Sequence, residues 1–287
     1  MSDLFRGMDR PTLDRAYNNV QAVSDFPGIM ARFQALSATL YATNPCQRGL
    51  AYGPEPRQRF DCFSPAPSDA PTLIFIHGGY WQNGTKEDFA FIAAGPLAAG
   101  FNVVLAEYTL APEASMTRIV DEIGALLDHL AEQRQILNIG AGPVILSGHS
   151  AGGQLTAQHR HHPLITHSLP ISGLMDLEPI SLCWLNEKLQ LSAEEVNSYS
   201  PQRHIRTGTP QLITVGGDEL PELVRQSHEY AQACTDVGDR AVYCPVPGAD
   251  HFSLLDDLAC ADGVQIKALL QLLDKSGSHA ERFARYG

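Results

Sequence analysis

No stretch of this 287-residue chain approaches the roughly 18 consecutive apolar residues needed to cross a bilayer as a helix. The opening residues, Met1 to Pro11, mix charges with apolar residues and contain no apolar signal core. Basic runs are missing as well. The net charge of −12 argues against a nucleic-acid or anionic-membrane partner, because either would require a positive face. The cysteines at 46, 62, 183, 234, 244 and 260 form no C-x-x-C pair. In a chain long enough to build a core without staples, they read as reduced thiols, and the cytoplasm is the expected compartment. No phosphate-cradling loop is visible, since Gly78-Gly79 lacks the further glycine and lysine of such a loop. Internal repeats and low-complexity segments are also absent.

What is present suits a large core: 44% of residues are hydrophobic and 18% charged. Residues 12 to 43 are helix-friendly, with Pro27-Gly28 expected to break them in two. Arg57 to Phe63 alternates like an antiparallel edge strand. Thr72 to His77 is a continuous apolar run of the kind buried inside a covered parallel sheet. Further strands are expected at Phe101–Glu107, Val144–Ser147, His167–Met175, Pro210–Val215 and Ala241–Val246. Helices are expected over 88–99, 115–135, 221–235 and 261–273. In the second of these, Ile119, Ile123, Leu126, Leu127 and Leu130 mark one apolar face. Residues 180 to 200 place Trp184, Leu185 and Leu189 among polar neighbours, which suggests one or two short helices inserted over the sheet as a small cap. The alternation predicts an α/β fold, a mostly parallel doubly wound sheet covered on both faces, as a single domain over 1–287.

The chemistry centres on Gly148-His149-Ser150-Ala151-Gly152, a G-x-S-x-G pattern between a strand and a helix. A sharp turn there lifts the Ser150 hydroxyl above the carboxyl end of the sheet. The Ala151 amide, at the helix N-terminus, can then face a developing oxyanion. His251, in Gly248-Ala249-Asp250-His251-Phe252 after the last strand, is the candidate base. Two adjacent carboxylates, Asp218 and Glu219, follow another strand. Only one can orient the far nitrogen of His251, and composition does not separate them. His77-Gly78-Gly79-Tyr80-Trp81 also follows a strand, and the amides of Gly79 and Tyr80 are the expected second donors beside Ala151. His159, His161 and His162 lie where the helix after Ser150 ends. The helix dipole accounts for them better than a metal does, so neither a metal nor another cofactor is expected.

Taken together, these motifs resemble the α/β-hydrolase superfamily over nearly the whole chain. Tyr108-Thr109-Leu110-Ala111-Pro112-Glu113 and Gly148 to Gly153 are similar to the hormone-sensitive-lipase-like esterases. The loop His77-Gly78-Gly79-Tyr80-Trp81, where those esterases usually carry His-Gly-Gly-Gly, resembles the kynurenine formamidase (arylformamidase) group. So does Pro221-Glu222-Leu223-Val224-Arg225-Gln226-Ser227. Counting back without gaps from Arg225-Gln226-Ser227, the family's acid falls on Glu219, a Glu where the family has Asp. Asp218 remains the alternative. The resemblance implies a serine hydrolase acting on a small-molecule ester or amide, most of all an N-formylkynurenine-type arylformamide. Tyr80, Trp81, Trp184 and Leu185 are the expected substrate contacts. A short-chain carboxylesterase using the same residues is the alternative. A non-catalytic binding protein on this fold would be expected to have lost a triad candidate, and every one is present. A homodimer is compatible with this reading, and neither a nucleic-acid nor a membrane partner is implied.

Overall fold

The computed structural model describes residues 4–283, with side chains as far as Asp274. Eight strands form one sheet: β1 (Gln47–Ala51), β2 (Arg59–Phe63), β3 (Thr72–Ile76), β4 (Asn102–Ala106), β5 (Val144–His149), β6 (His167–Ile171), β7 (Gln211–Gly216) and β8 (Ala241–Val246). Their order across the sheet is β1-β2-β4-β3-β5-β6-β7-β8. From β4 to β8 every pairing is parallel, whereas β1–β2 and β2–β4 are antiparallel. The helices are α1 (Arg10–Ala16), α2 (Phe26–Thr43), α3 (Ala94–Ala98), α4 (Met116–Gln133), α5 (Ala151–His159), α6 (Glu178–Leu182), α7 (Asn186–Leu189), α8 (Ala193–Tyr199), α9 (Pro221–Asp236), α10 (Ser253–Leu258) and α11 (Val264–Phe283).

The period-two geometry of strands divides the core between the two faces. Leu73, Phe75, Val103 and Leu105 join a cluster with Phe33 of α2, Leu255 of α10 and Leu269 of α11. Ile74, Ile76, Val104 and Leu146 point the other way and meet the apolar stripe of α4, with Leu13 of α1 and Leu189 of α7. Because both faces are covered, β3, β4 and β5 are buried at every position. Such strands read as uninterrupted apolar runs.

Several boundaries differ from the sequence expectation, each for a local reason. The strand 59–63 is not the sheet edge. It is flanked by β1, whose residues Gln47-Arg48-Gly49-Leu50-Ala51 carry no alternating apolar pattern to announce a strand. Pro27 does not break a helix but occupies the first turn of α2, where its missing N–H costs nothing. The expected helix 88–99 is a 3-10 turn, Ala90–Ala93, running into α3. Residues 180–200 hold α7, α8 and the end of α6 rather than one or two helices. The closing helix 261–273 is α11, which runs on beyond Leu273, and α10 precedes it.

Candidate active site

Ser150 stands between β5 and α5 with φ 56° and ψ −115°, a left-handed conformation that an L-residue holds only under constraint. The constraint is steric. A Cβ at Gly148 would lie 2.3 Å from the Gly152 carbonyl oxygen, and one at Gly152 would lie 2.1 Å from that of Ile76. Only glycine admits so close a crossing of strand, turn and helix. The Ser150 N–H donates to the carbonyl of Ile171 at the end of β6 (2.8 Å), which pins the turn to the neighbouring strand.

His251 lies between β8 and α10. Its Nδ1–H donates to Glu219 Oε2 at 2.7 Å, which leaves Nε2 available for a proton. The other Glu219 oxygen accepts the N–H of Gly216 (2.7 Å) and the hydroxyl of Ser172. Of the two adjacent carboxylates, Glu219 is therefore the one that meets His251. Asp218 faces solvent. The segment around His251 is fixed on two sides. Asp250 accepts the N–H groups of Phe252 (2.9 Å) and Ser253 (2.7 Å). The Nε2–H of His149 donates to the His251 carbonyl (2.8 Å), and the two rings lie 4.3 Å apart. Burial, reinforced by the nearby His251, holds the His149 pKa well below the ordinary histidine range, so this ring is neutral.

Above Ser150 runs the glycine loop. Gly79, Tyr80 and Trp81 take φ values of 113°, 58° and 58°, three left-handed residues in succession. A Cβ at Gly78 would meet the His149 carbonyl oxygen at 2.9 Å and Ser150 Cβ at 3.2 Å, so the loop backbone passes directly against the serine. The first amides of α5, Ala151 among them, have no partner within the helix and lie at its positive end. The glycine loop is anchored from behind. His77 Nδ1 bonds the Gly78 carbonyl (2.7 Å), and Nε2 bonds Glu107 (2.9 Å). Glu107 also accepts from Arg57 (2.6 Å) and from the Lys86 and Tyr108 amides (both 3.0 Å). Burial alone would raise the Glu107 carboxyl, but His77 and Arg57 hold it below the usual carboxylate range.

Ser150 and His251 open onto one cavity of about 390 Å³, shared with Gly79, Tyr80 and His149. Among the expected substrate contacts, Tyr80 lines it. Trp81 does not: it is fully buried and donates its indole N–H to Gln154 (3.2 Å). Leu185 is likewise fully buried, and Trp184 packs edge-on behind Tyr80 with ring centroids 5.5 Å apart. The 180–200 segment thus backs the glycine loop and contributes no wall. The outer wall comes from Val20, from Phe26, Met30 and Gln34 of α2, and from Phe89 and Phe252. Phe26 and Phe252 pack against each other at 5.2 Å. These wall residues carry no local sequence motif that could have pointed to them. His149 is visible inside G-x-S-x-G, but its bond to the His251 segment spans 102 residues of chain. Among the described residues, no group of three or more histidines, cysteines or acids could hold a metal.

Residues 60–160 match the family model described as BD-FAE. Kynurenine formamidase of Danio rerio is 29% identical over 79% of this chain and 82% of its own length. The Drosophila melanogaster kynurenine formamidase is 25% identical over 74% and 77%. A crystal structure from Silicibacter sp. TM1040, assigned as a thioesterase, superposes with TM-score 0.79 at 27% identity over 89% of this chain and 97% of that one. The chain is a hydrolase of the α/β-hydrolase superfamily. An esterase from Pyrobaculum calidifontis shares the hydrolase's fold at TM-score 0.70 and 17% identity, covering 94% and 99% of the two chains. The kynurenine formamidase relatives and the Silicibacter structure support a serine hydrolase of the arylformamidase and esterase type. No helix among its described residues is long and apolar enough to cross a membrane.

Proposed function

We propose that this hydrolase removes a short acyl group, formyl or acetyl, from aryl amides and esters, with N-formylkynurenine-type formamides as the leading substrates. The reading is carried by one observation: His251, held between Glu219 and His149, shares a cavity with Ser150 beneath the glycine loop. In the first half-reaction, Ser150 Oγ bonds to the acyl carbon while its proton passes to His251 Nε2. The carbonyl oxygen becomes an oxyanion facing the amides of Gly79, Tyr80 and Ala151. His251 then gives the proton to the departing nitrogen or oxygen, and Glu219 stabilises the transient imidazolium. Water, deprotonated by His251, cleaves the acyl-enzyme and releases formate or acetate.

The aromatic and aliphatic wall of Phe26, Phe252, Phe89 and Met30 suits an aryl leaving group. Gly79 and Tyr80 line the cavity beside Ser150, and the acyl group is assigned to that side. The Danio and Drosophila relatives carry the kynurenine formamidase name, which supports the formamide over other amides. The same apolar wall also accepts an alkyl group, which keeps a short-chain carboxylesterase as the second reading. All six cysteines are free thiols, in keeping with a cytoplasmic enzyme.

The test is a series of kcat/KM values for p-nitrophenyl esters from acetyl to hexanoyl, alongside N-formylkynurenine. The proposal expects a steep fall with chain length, since each methylene that the site cannot hold forfeits roughly 1–3 kcal/mol, and efficient deformylation. A flat or rising profile contradicts the small acyl site. Short-acyl activity without deformylation selects the carboxylesterase.

A further inference from the structure

Ser172 is a second serine in the left-handed region. It follows β6 directly, has φ 49°, and is completely buried. Glycine would occupy this backbone without strain, and the next residue, Gly173, shows that the stretch admits one. A strained side chain retained in a core calls for an explanation in what that side chain contacts. The Ser172 N–H donates to the Thr214 carbonyl of β7 (2.8 Å). The preceding carbonyl, of Ile171, accepts the Ser150 N–H (2.8 Å). One short segment therefore ties the nucleophile turn to the strand that leads to Glu219. The hydroxyl it presents donates to Glu219 Oε1, which also takes the Gly216 N–H at 2.7 Å, while Oε2 takes His251 Nδ1–H.

We infer that Ser172 is a positioning residue for the triad acid. Its hydroxyl and the Gly216 amide clamp one oxygen of Glu219 so that the other is delivered to His251. The inference rests on the reading of Glu219 as that acid. Glutamate has one more rotatable bond than aspartate, so a carboxylate held only by His251 would swing. Two donors on the far oxygen remove that freedom. They also satisfy a buried charge, which a lone histidine bond would leave half-solvated by protein.

The experiment measures kcat and KM on p-nitrophenyl acetate for Ser172→Gly, Ser172→Ala and Glu219→Gln, and for both Ser172 variants combined with Glu219→Gln. Ser172→Gly relieves the strained backbone and Ser172→Ala retains it, so the glycine variant should have the higher Tm and guards against misfolding. Both should lower kcat by about 10- to 100-fold, the worth of one hydrogen bond to a charged group, with KM little changed. In the Glu219→Gln background either change should add almost nothing, because the carboxylate it serves is gone. Wild-type kcat in Ser172→Gly beside a crippled Glu219→Gln overturns this inference alone. A loss repeated in full on top of Glu219→Gln also overturns it, marking a general packing effect. An undiminished Glu219→Gln overturns the acid assignment and this inference with it.

Discussion

Asp218 and Glu219 are one peptide bond apart and have opposite surroundings. The Asp218 side chain faces solvent, while Glu219 is buried and spends both oxygens on named donors. Removing the negative charge from Glu219 leaves the His251 tautomer unfixed and its imidazolium unpaired. Glu219→Gln is expected to lower kcat by up to about 10⁴-fold, whereas Asp218→Asn should stay close to wild type. Steady-state kinetics on one ester substrate, with circular dichroism to verify folding, measures both. At this scale the sequence is informative where chemistry fixes spacing. Ser150 and His251 follow from a five-residue motif and from chain order. Glu219 over Asp218 requires the register of a related family, because two neighbouring carboxylates look alike until their partners are known. Trp81 and Leu185 fall outside the cavity against expectation, because adjacency to the loop glycines says nothing about side-chain direction. The positive φ of Trp81 accompanies a ring buried against Gln154 and absent from the cavity lining.

Among the elements, α2 shapes the cavity most. Asp25 caps it by accepting the Gly28 N–H (2.9 Å). Phe33 packs against Phe91 with ring centroids 4.3 Å apart, and Arg32 makes paired 2.7 Å bonds to Asp256 of α10, the helix that follows His251. The helix thus covers the site and is tied to the segment carrying the base. Its cavity-facing residues, Phe26 and Met30, should set the preference for the leaving group. Phe26→Ala and Met30→Ala are each expected to lower kcat/KM for aryl acetates by about tenfold while affecting ethyl acetate far less. Equal losses on both substrates would mean that α2 only stabilises the fold. Helical character over 26–43 is evident from composition, but the docking of this helix above a serine more than a hundred residues later is not. Contacts of that range depend on the assembled sheet. By contrast, α4 is legible throughout, because an apolar stripe at helical period names both the element and the face it buries.

At the scale of the whole molecule, the buried neutral histidines couple stability to pH. Burial pushes His149 well below its ordinary pKa and brings His159, whose ring bonds the Val120 carbonyl (2.9 Å), down to about 4. The unfolded chain takes up these protons near pH 6.5, and His159 in the folded chain does not until near pH 4. Below pH 6.5 the unfolded state therefore binds more protons, and stability falls as pH drops across that window. A tenfold difference in proton affinity between the folded and unfolded chain corresponds to roughly 1.4 kcal/mol. Urea unfolding at pH 7, 5.5 and 4.5 should show the decline, and His159→Gln should flatten part of it. An unchanged slope in that variant would remove His159 from the account. The sheet and its two-sided core can be read from the order of apolar runs. Strand β1 cannot, because an exposed edge strand held by backbone pairing needs no apolar pattern.

The central claim is that Ser150 is the nucleophile of a single reacting centre. Its most direct measurement is inactivation by a serine-directed aryl phosphonate, followed by peptide mass mapping of wild type and of Ser150→Ala. One equivalent should attach to Ser150 in step with loss of esterase activity. The Ser150→Ala protein should be folded, unlabelled, and lower in kcat by about 10⁴-fold or more. Labelling at another residue with activity lost, or turnover surviving in the Ser150→Ala protein, would contradict the account.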